Sequence, residues 1–221
     1  TVCNRTLSRG LGIRVLDGGW GYAASQSVDE PEAVVDRAVH LARAAAAHAY
    51  EHIGIGETPP AVGHWRSPCE VDPFSVPLDE KLDWLREATE AMGDVAVASA
   101  QTMALKRITQ FVSTEGSDWT QEQVITGVSI GATAVKDGLV QIRTWPKSED
   151  GNVAGRGWEY VLSHDIHDQA PKIAEEARQL LHAPKVPEGE HDIILDSAQL
   201  SLQIHESCGH PVEGDRVLGE E

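Results

Sequence analysis

The chain has 221 residues, 41% hydrophobic and 24% charged, enough to bury one large core or two smaller ones. Its net charge of −17 argues against a nucleic-acid partner, which demands clustered Lys and Arg, and against an anionic membrane surface. Cys3, Cys69 and Cys208 are odd in number and widely spaced, so no disulfide framework is expected and a reducing, cytoplasmic setting is the default. The N-terminus has no basic-plus-apolar leader pattern, and no apolar run approaches the ~20 residues of a membrane span.

The first elements expected are two short strands in residues 11–25, "LGIRVLDGGWGYAAS", folded back at Asp-Gly-Gly, where glycine accepts the positive φ of a tight turn. Residues 29–52 read as a helix. They open on Asp-Glu-Pro, and Val34, Val35, Ala38, Val39 and Ala42 recur at helical spacing. "GIGETPPAVGHW", 54–65, reads as loop. Residues 78–93 read as a second amphipathic helix, with Leu78, Leu82, Leu85 and Met92 on one side and Gly93 as its stop. From 95 to 146 Thr, Val and Ile alternate with polar residues, and "EGSD" and "KDG" separate the runs as turns. That pattern predicts an antiparallel meander with one wet face. A third helix falls within 164–183. A Pro/Gly joint follows, then an apolar strand at Ile193–Leu195. The fold class expected is α+β, with helices packed on a mostly antiparallel sheet over 1–185, followed by the start of a second, β-rich metal-binding domain over 186–221. A chain that starts at Thr1 and stops after "VLGEE" is expected to be a piece of a longer protein.

The stretch 201–216, "SLQIHESCGHPVEGDR", places His205, Glu206 and His210 in the spacing H-E-x-x-x-H. Two imidazoles can hold a zinc ion, and a carboxylate beside them can take a proton from a water attacking an amide. The spacing is one residue longer than the H-E-x-x-H of zinc peptidases. On an α-helix, positions i and i+5 lie about 140° apart, so the two histidines would diverge. A turn of the π type, at roughly 80° per residue, returns them to within about 50°. Gly209 gives the backbone freedom to distort there, and Pro211 removes the next amide donor. Read from the residues alone, either a metal site or a helix end with exposed histidines fits.

The surroundings add a resemblance. "SLQIHESCGHPVEGD" resembles the H-E-x-x-G-H-x-x-E-x-D signature of the TldD/PmbA family of metallopeptidases, matched by His205, Glu206, Gly209, His210, Glu213 and Asp215. "GIRVLDGGWGYAAS" at 12–25, followed by an Ala-rich helix, resembles the family's N-terminal glycine-rich stretch. "EEARQLLHAPKVPEGEHDIILD", in the segment ending at 196, resembles the helix, turn and strand upstream of its histidines. The resemblance covers most of the chain and is to the TldD type, which carries the histidine motif. It implies zinc held by His205 and His210 with Glu206 as general base, and a third ligand, a cysteine, beyond Glu221. It also implies a chain shortened at both ends, a peptide substrate, and a homodimer or a heterodimer with a motif-lacking paralogue.

Glu213 and Asp215 are expected to orient His210 or to hold a substrate amine. Cys208 is expected as a small packed side chain. His164 and His167 form an H-x-x-H pair without a supporting carboxylate and are expected at the surface of a helix start. His40 and His48 are expected as packing or surface residues, and Trp20 in the core. Two functions are compatible with these residues. One is a zinc-dependent peptidase acting on small or unfolded peptides, in leader-peptide removal or clearance of unstructured chains. The other is a non-catalytic interaction subunit whose metal motif is structural or degenerate. They differ in whether Glu206 is needed.

Overall fold

The structure is a computed structural model that describes residues 6–49, 54–146 and 152–219. Cys3 and residues 50–52, the end of the first expected helix, lie outside the described residues. The chain divides into two compact units, Thr1–Pro59 and Pro60–Glu221.

In the first unit, strands β1 (Leu11–Leu16) and β2 (Trp20–Ser25) pair antiparallel, and helix α1 (Pro31–Ala46) packs on one face of the hairpin. The Asp17 N–H donates to the Gly19 carbonyl at 3.1 Å and closes the turn. Pro31 occupies the first helical position, where its missing N–H has no partner to lose. Val34 and Ala38 of α1 bury against Ala23, with Leu11, Ile13 and Val15 around them. The alanines of α1 have a steric cause. A Cβ on Gly21 would collide with the backbone of Ala38 and Ala42, and one on Gly19 with the backbone of Ala45 and Ala46. The helix therefore rides directly on glycine backbone, and Ala38 and Ala42 are fully buried. Trp20 departs from its expected core position and is 48% exposed. Side chains alternate along a strand, so once Gly21 and Ala23 face the helix, Trp20 and Tyr22 must face out. Replacing Gly21 with Val should lower stability by about 2–3 kcal/mol or more through overpacking. A thermal or urea melt would read this, with Trp20→Ala as a near-neutral comparison.

The second unit is organised by one strand. β5 (Asp118–Lys136) pairs along one edge with β4 (Val97–Val112), antiparallel, from Val97↔Thr133 to Val112↔Asp118. Its other edge is shared by three short strands in turn. β3 (Val62–Arg66) pairs parallel with Asp118–Glu122, β7 (Asn152–Ala154) antiparallel with Thr126–Val128, and β6 (Leu139–Trp145) antiparallel with Ile130–Lys136. The meander β4–β5–β6 is therefore as expected. β3 corrects the reading of 54–65 as loop. Its five residues are all exposed, so no hydrophobic alternation announces it, and backbone pairing to β5 makes it a strand.

Helices α2 (Leu78–Ala91), α3 (Trp158–Leu162) and α4 (Ile166–Leu180) share a core with that sheet. Val124, Thr126, Val128, Ile130, Ala132 and Ala134 are buried on alternate positions of β5. Val128 and Ile130 meet Ala88, Met92, Trp158, Val161, Ile166 and Ile173. Full burial of side chains such as Ile130, Met92 and Ile166 stabilises by about 1.5–3 kcal/mol each. The short helix α3 has no counterpart among the sequence expectations. It begins at a clasp: the Glu159 carboxylate accepts the N–H of Val71 at 3.0 Å and of Gly157 at 2.8 Å, and the Trp158 N–H donates to the Val71 carbonyl at 2.7 Å.

Ile193–Leu195 also departs from expectation. These residues form neither strand nor helix, and Ile194 is 98% exposed. An apolar run becomes a strand only with a neighbour to complete its hydrogen bonds, and none pairs with it among the described residues. Residues 184–219 hold instead the helical segments that carry the candidate site.

The Glu159 clasp carries a pH signature. Partial burial alone would raise this carboxyl, but the amides of Val71 and Gly157 outweigh it and hold the group below its ordinary value of 4.5. A folded-state pKa below the unfolded one adds stability above the unfolded value, and that stability is lost as pH falls through the folded value. The stability gap between the natural protein and Glu159→Gln should therefore be largest at neutral pH and shrink as pH drops below about 4.5. Urea melts across pH 3–7 would measure it, and a gap independent of pH would contradict the clasp.

Candidate metal centre

Helix α5 (Ser197–Ile204) starts with Asp196 as its N-cap, whose side chain accepts the Gln199 N–H at 3.3 Å. An ordinary α-helix would carry on through the motif. Instead His205–Gly209 forms one turn of π-helix, in which the His210 N–H donates to the His205 carbonyl, five residues back. His210–Val212 follows as a 3₁₀ turn with Pro211 at its second position, then a short helix α6 (Gly214–Leu218). Gly209 keeps an ordinary helical conformation, φ −67° and ψ −62°, so the widened turn does not draw on glycine's special freedom.

The π turn brings the two imidazoles to one side. Their ring centroids lie 4.6 Å apart at 74°. One ligand atom from each of His205, Glu206 and His210 falls within 4.8 Å of the others. Glu206 reaches both rings, one oxygen 3.7 Å from His210 Nε2 and the other 4.0 Å from His205 Nε2. His205 and Glu206 are exposed and His210 is half-buried. Two imidazoles and a carboxylate grouped this closely make a donor set of the kind that holds a divalent metal ion.

The next turn supports His210 from behind. Its Nδ1 lies 2.7 Å from Glu213 Oε1, which favours the tautomer with the proton on Nδ1 and leaves the Nε2 lone pair on the side of Glu206. The hydrogen bond from His210 holds the Glu213 carboxyl below its ordinary range. Arg216 Nε lies 3.4 Å from the other Glu213 oxygen. Arg216 was not singled out in the sequence, although its i,i+3 spacing from Glu213 was the available signal. Gln203 and Ser207 brace the helix across the π turn with a 2.6 Å side-chain hydrogen bond. Asp215 accepts the Arg216 N–H at 2.9 Å.

Cys208 differs from its expected packed state and is exposed, because this segment has no core beneath it for a small apolar group to enter. His164 and His167 are kept apart from the site. His164 Nδ1 lies 2.8 Å from the Tyr160 carbonyl and His167 Nε2 lies 2.8 Å from the Trp84 carbonyl, so each is engaged by backbone on its own account.

Comparison with known proteins bears on this arrangement. Residues 71–183, just over half of the chain, match the PmbA/TldA metallopeptidase central domain. The chain belongs to the PmbA/TldD metallopeptidase family. Residues 1–42 match domain 1 of the same family. A metalloprotease of Methanothermobacter thermautotrophicus is 28% identical over 212 residues, covering 95% of this chain and 45% of that protein. A metalloprotease of Methanocaldococcus jannaschii is 25% identical over 216 residues, covering 95% of this chain and 46% of that one. The chain thus spans less than half the length of these PmbA/TldD relatives. The fold is similar to the crystal structure of a Thermotoga maritima protein described as a candidate modulator of a DNA gyrase. That match has a TM-score of 0.53 and 19% identity, covering 81% of this chain and 39% of the other.

The Glu213 contact makes a testable demand on a PmbA/TldD site of this geometry. Glu213→Ala in the full-length protein should weaken divalent-metal affinity about 10–100-fold, measured by competition with a chelator of known affinity. Glu188→Ala, an exposed position outside the motif, serves as the comparison.

Proposed function

We propose that this chain carries the metal-binding helix of a TldD-type zinc peptidase acting on small or unfolded peptides. The observation that supports the reading is the π turn, which gathers His205, Glu206 and His210 within 4.8 Å despite their i,i+5 spacing. His205 and His210 would hold the zinc ion, with a third ligand, a cysteine, supplied from beyond Glu221. When bound, zinc would supply Lewis acidity toward a water and the scissile carbonyl. Glu206 is the general base, receiving the proton of the attacking water on a carboxylate oxygen and delivering it to the departing amine. Glu213 holds His210 in the ligating tautomer, and Asp215 serves that outer shell or a substrate amine. The central-domain match ends at residue 183, which favours a separate metallopeptidase domain from about 186 onward.

The wider setting is part of the same proposal. The protein works as a homodimer, or as a heterodimer with a motif-lacking paralogue, in the cytoplasm. Its task is leader-peptide removal or clearance of unstructured chains. Among the described residues no helix is long and apolar enough to cross a membrane.

Glu206 decides between base and ligand. Full-length Glu206→Gln should keep its zinc and lose about 10²–10⁴-fold in peptide turnover. Zinc content by mass spectrometry and hydrolysis of an unstructured peptide measure the two effects separately. Loss of zinc along with turnover would make Glu206 a ligand, and unchanged turnover would end the peptidase mechanism as written.

A further inference from the structure

We propose that Arg216 is a positioning residue of the metal centre, holding the Glu213 carboxylate behind His210 so that the imidazole keeps its Nε2 lone pair for the ion. Both oxygens of Glu213 are engaged by side chains. Oε1 lies 2.7 Å from His210 Nδ1, and Oε2 lies 3.4 Å from Arg216 Nε. Glu213 is also the N-cap of α6, yet its side chain makes no capping hydrogen bond to that helix. The free amides of a first helical turn are natural partners for a carboxylate at this position, and turning to them would draw Glu213 off the ring. Arg216 stands three residues on, within α6, where side chains at i and i+3 meet. Its guanidinium offers the second oxygen a charged partner on the side of His210, so the carboxylate stays with the ring.

The charge pattern isolates the same pair. Residues 186–221 hold nine Asp and Glu but a single Lys or Arg, and that one is Arg216. An acidic segment attracts a metal cation, and a guanidinium acting by itself would repel one. Arg216 therefore has two opposed effects on the ion: direct repulsion, and support of His210 through Glu213. Removing the side chain raises metal affinity if repulsion dominates and lowers it if positioning does, so the sign of the change separates the two. The side chains of the pair are 40% and 43% exposed, which limits the expected effect to that of an ion pair in contact with water.

This role rests on the zinc reading proposed above, and one titration tests the two separately: zinc added to the full-length protein in competition with a chelator of known affinity. A parent protein that binds no zinc overturns that reading and this role together. With a parent that binds, Arg216→Ala should lower zinc affinity about 2–5-fold. Arg216→Lys keeps the charge and should recover part of the loss. The loss should shrink as salt is raised, because an exposed pair is screened. In a Glu213→Ala background, Arg216→Ala should lower affinity no further, since the group it holds is gone. An affinity that stays level or rises in Arg216→Ala overturns the role and leaves the zinc reading standing. So does an equal loss in the Glu213→Ala background. A KM for an unstructured peptide that rises while zinc affinity stays level also overturns it, and would assign Arg216 to a carboxylate of the substrate.

Discussion

The second unit depends on the pairing of one strand. β5 supplies backbone partners to four others, so its nineteen residues satisfy polar groups that would otherwise be stranded beneath the helices. Because one strand spans the sheet, its alternation also sets the core. The side chains at 124 to 134 that point one way are buried, and α2 and α4 dock on the part of the sheet they form. β3 and β7 are short and exposed and owe their existence to that edge rather than to their own composition. In the first unit the corresponding constraint is contact rather than pairing: α1 sits so close to the hairpin that only hydrogen fits at Gly19 and Gly21.

The candidate site is built by different means. It has no core and few long-range contacts. Its geometry comes from hydrogen bonds spanning three to five residues: Asp196 at the cap, Gln203 to Ser207 across the bend, His205 to His210 through the backbone, and His210 to Glu213 behind the ring. Local bonding of this kind can position ligands relative to one another. It leaves Leu202, Ile204, Val212 and Val217 in solvent, and the site with two imidazoles and one base.

That difference explains what could be read from the residues. The hairpin, α1, α2, α4 and the meander carry their signals locally, in turn glycines and in spacings of two or 3.6. The need for a π turn was also readable, because two histidines five apart can share an ion no other way on a helix. Where several cues competed, tertiary context decided. "AVGHW" lies behind two prolines and becomes a strand only through β5. "IIL" at 193–195 has strand composition and no ladder partner among the described residues. Trp20 looked like core by size, but the neighbouring Gly21 had already been claimed by α1 and the pleat turned the indole outward. Gly209 suggested backbone freedom and instead sits in ordinary helical space.

The π turn also implies a rule for how this motif tolerates change. The alignment of the two rings depends on the number of residues between them and on one backbone hydrogen bond, with the Gln203–Ser207 bond bracing the turn, while Cys208 is exposed. Substitution at Cys208 is therefore cheap, whereas insertion or deletion at Ser207 or Cys208 is not. Removing either one would restore α-helical register and the shorter spacing, but would swing Glu213 and Arg216 by about 100° relative to α5 and detach the support behind the second ring. Chain length through this turn, more than side-chain identity, is what the site has to preserve.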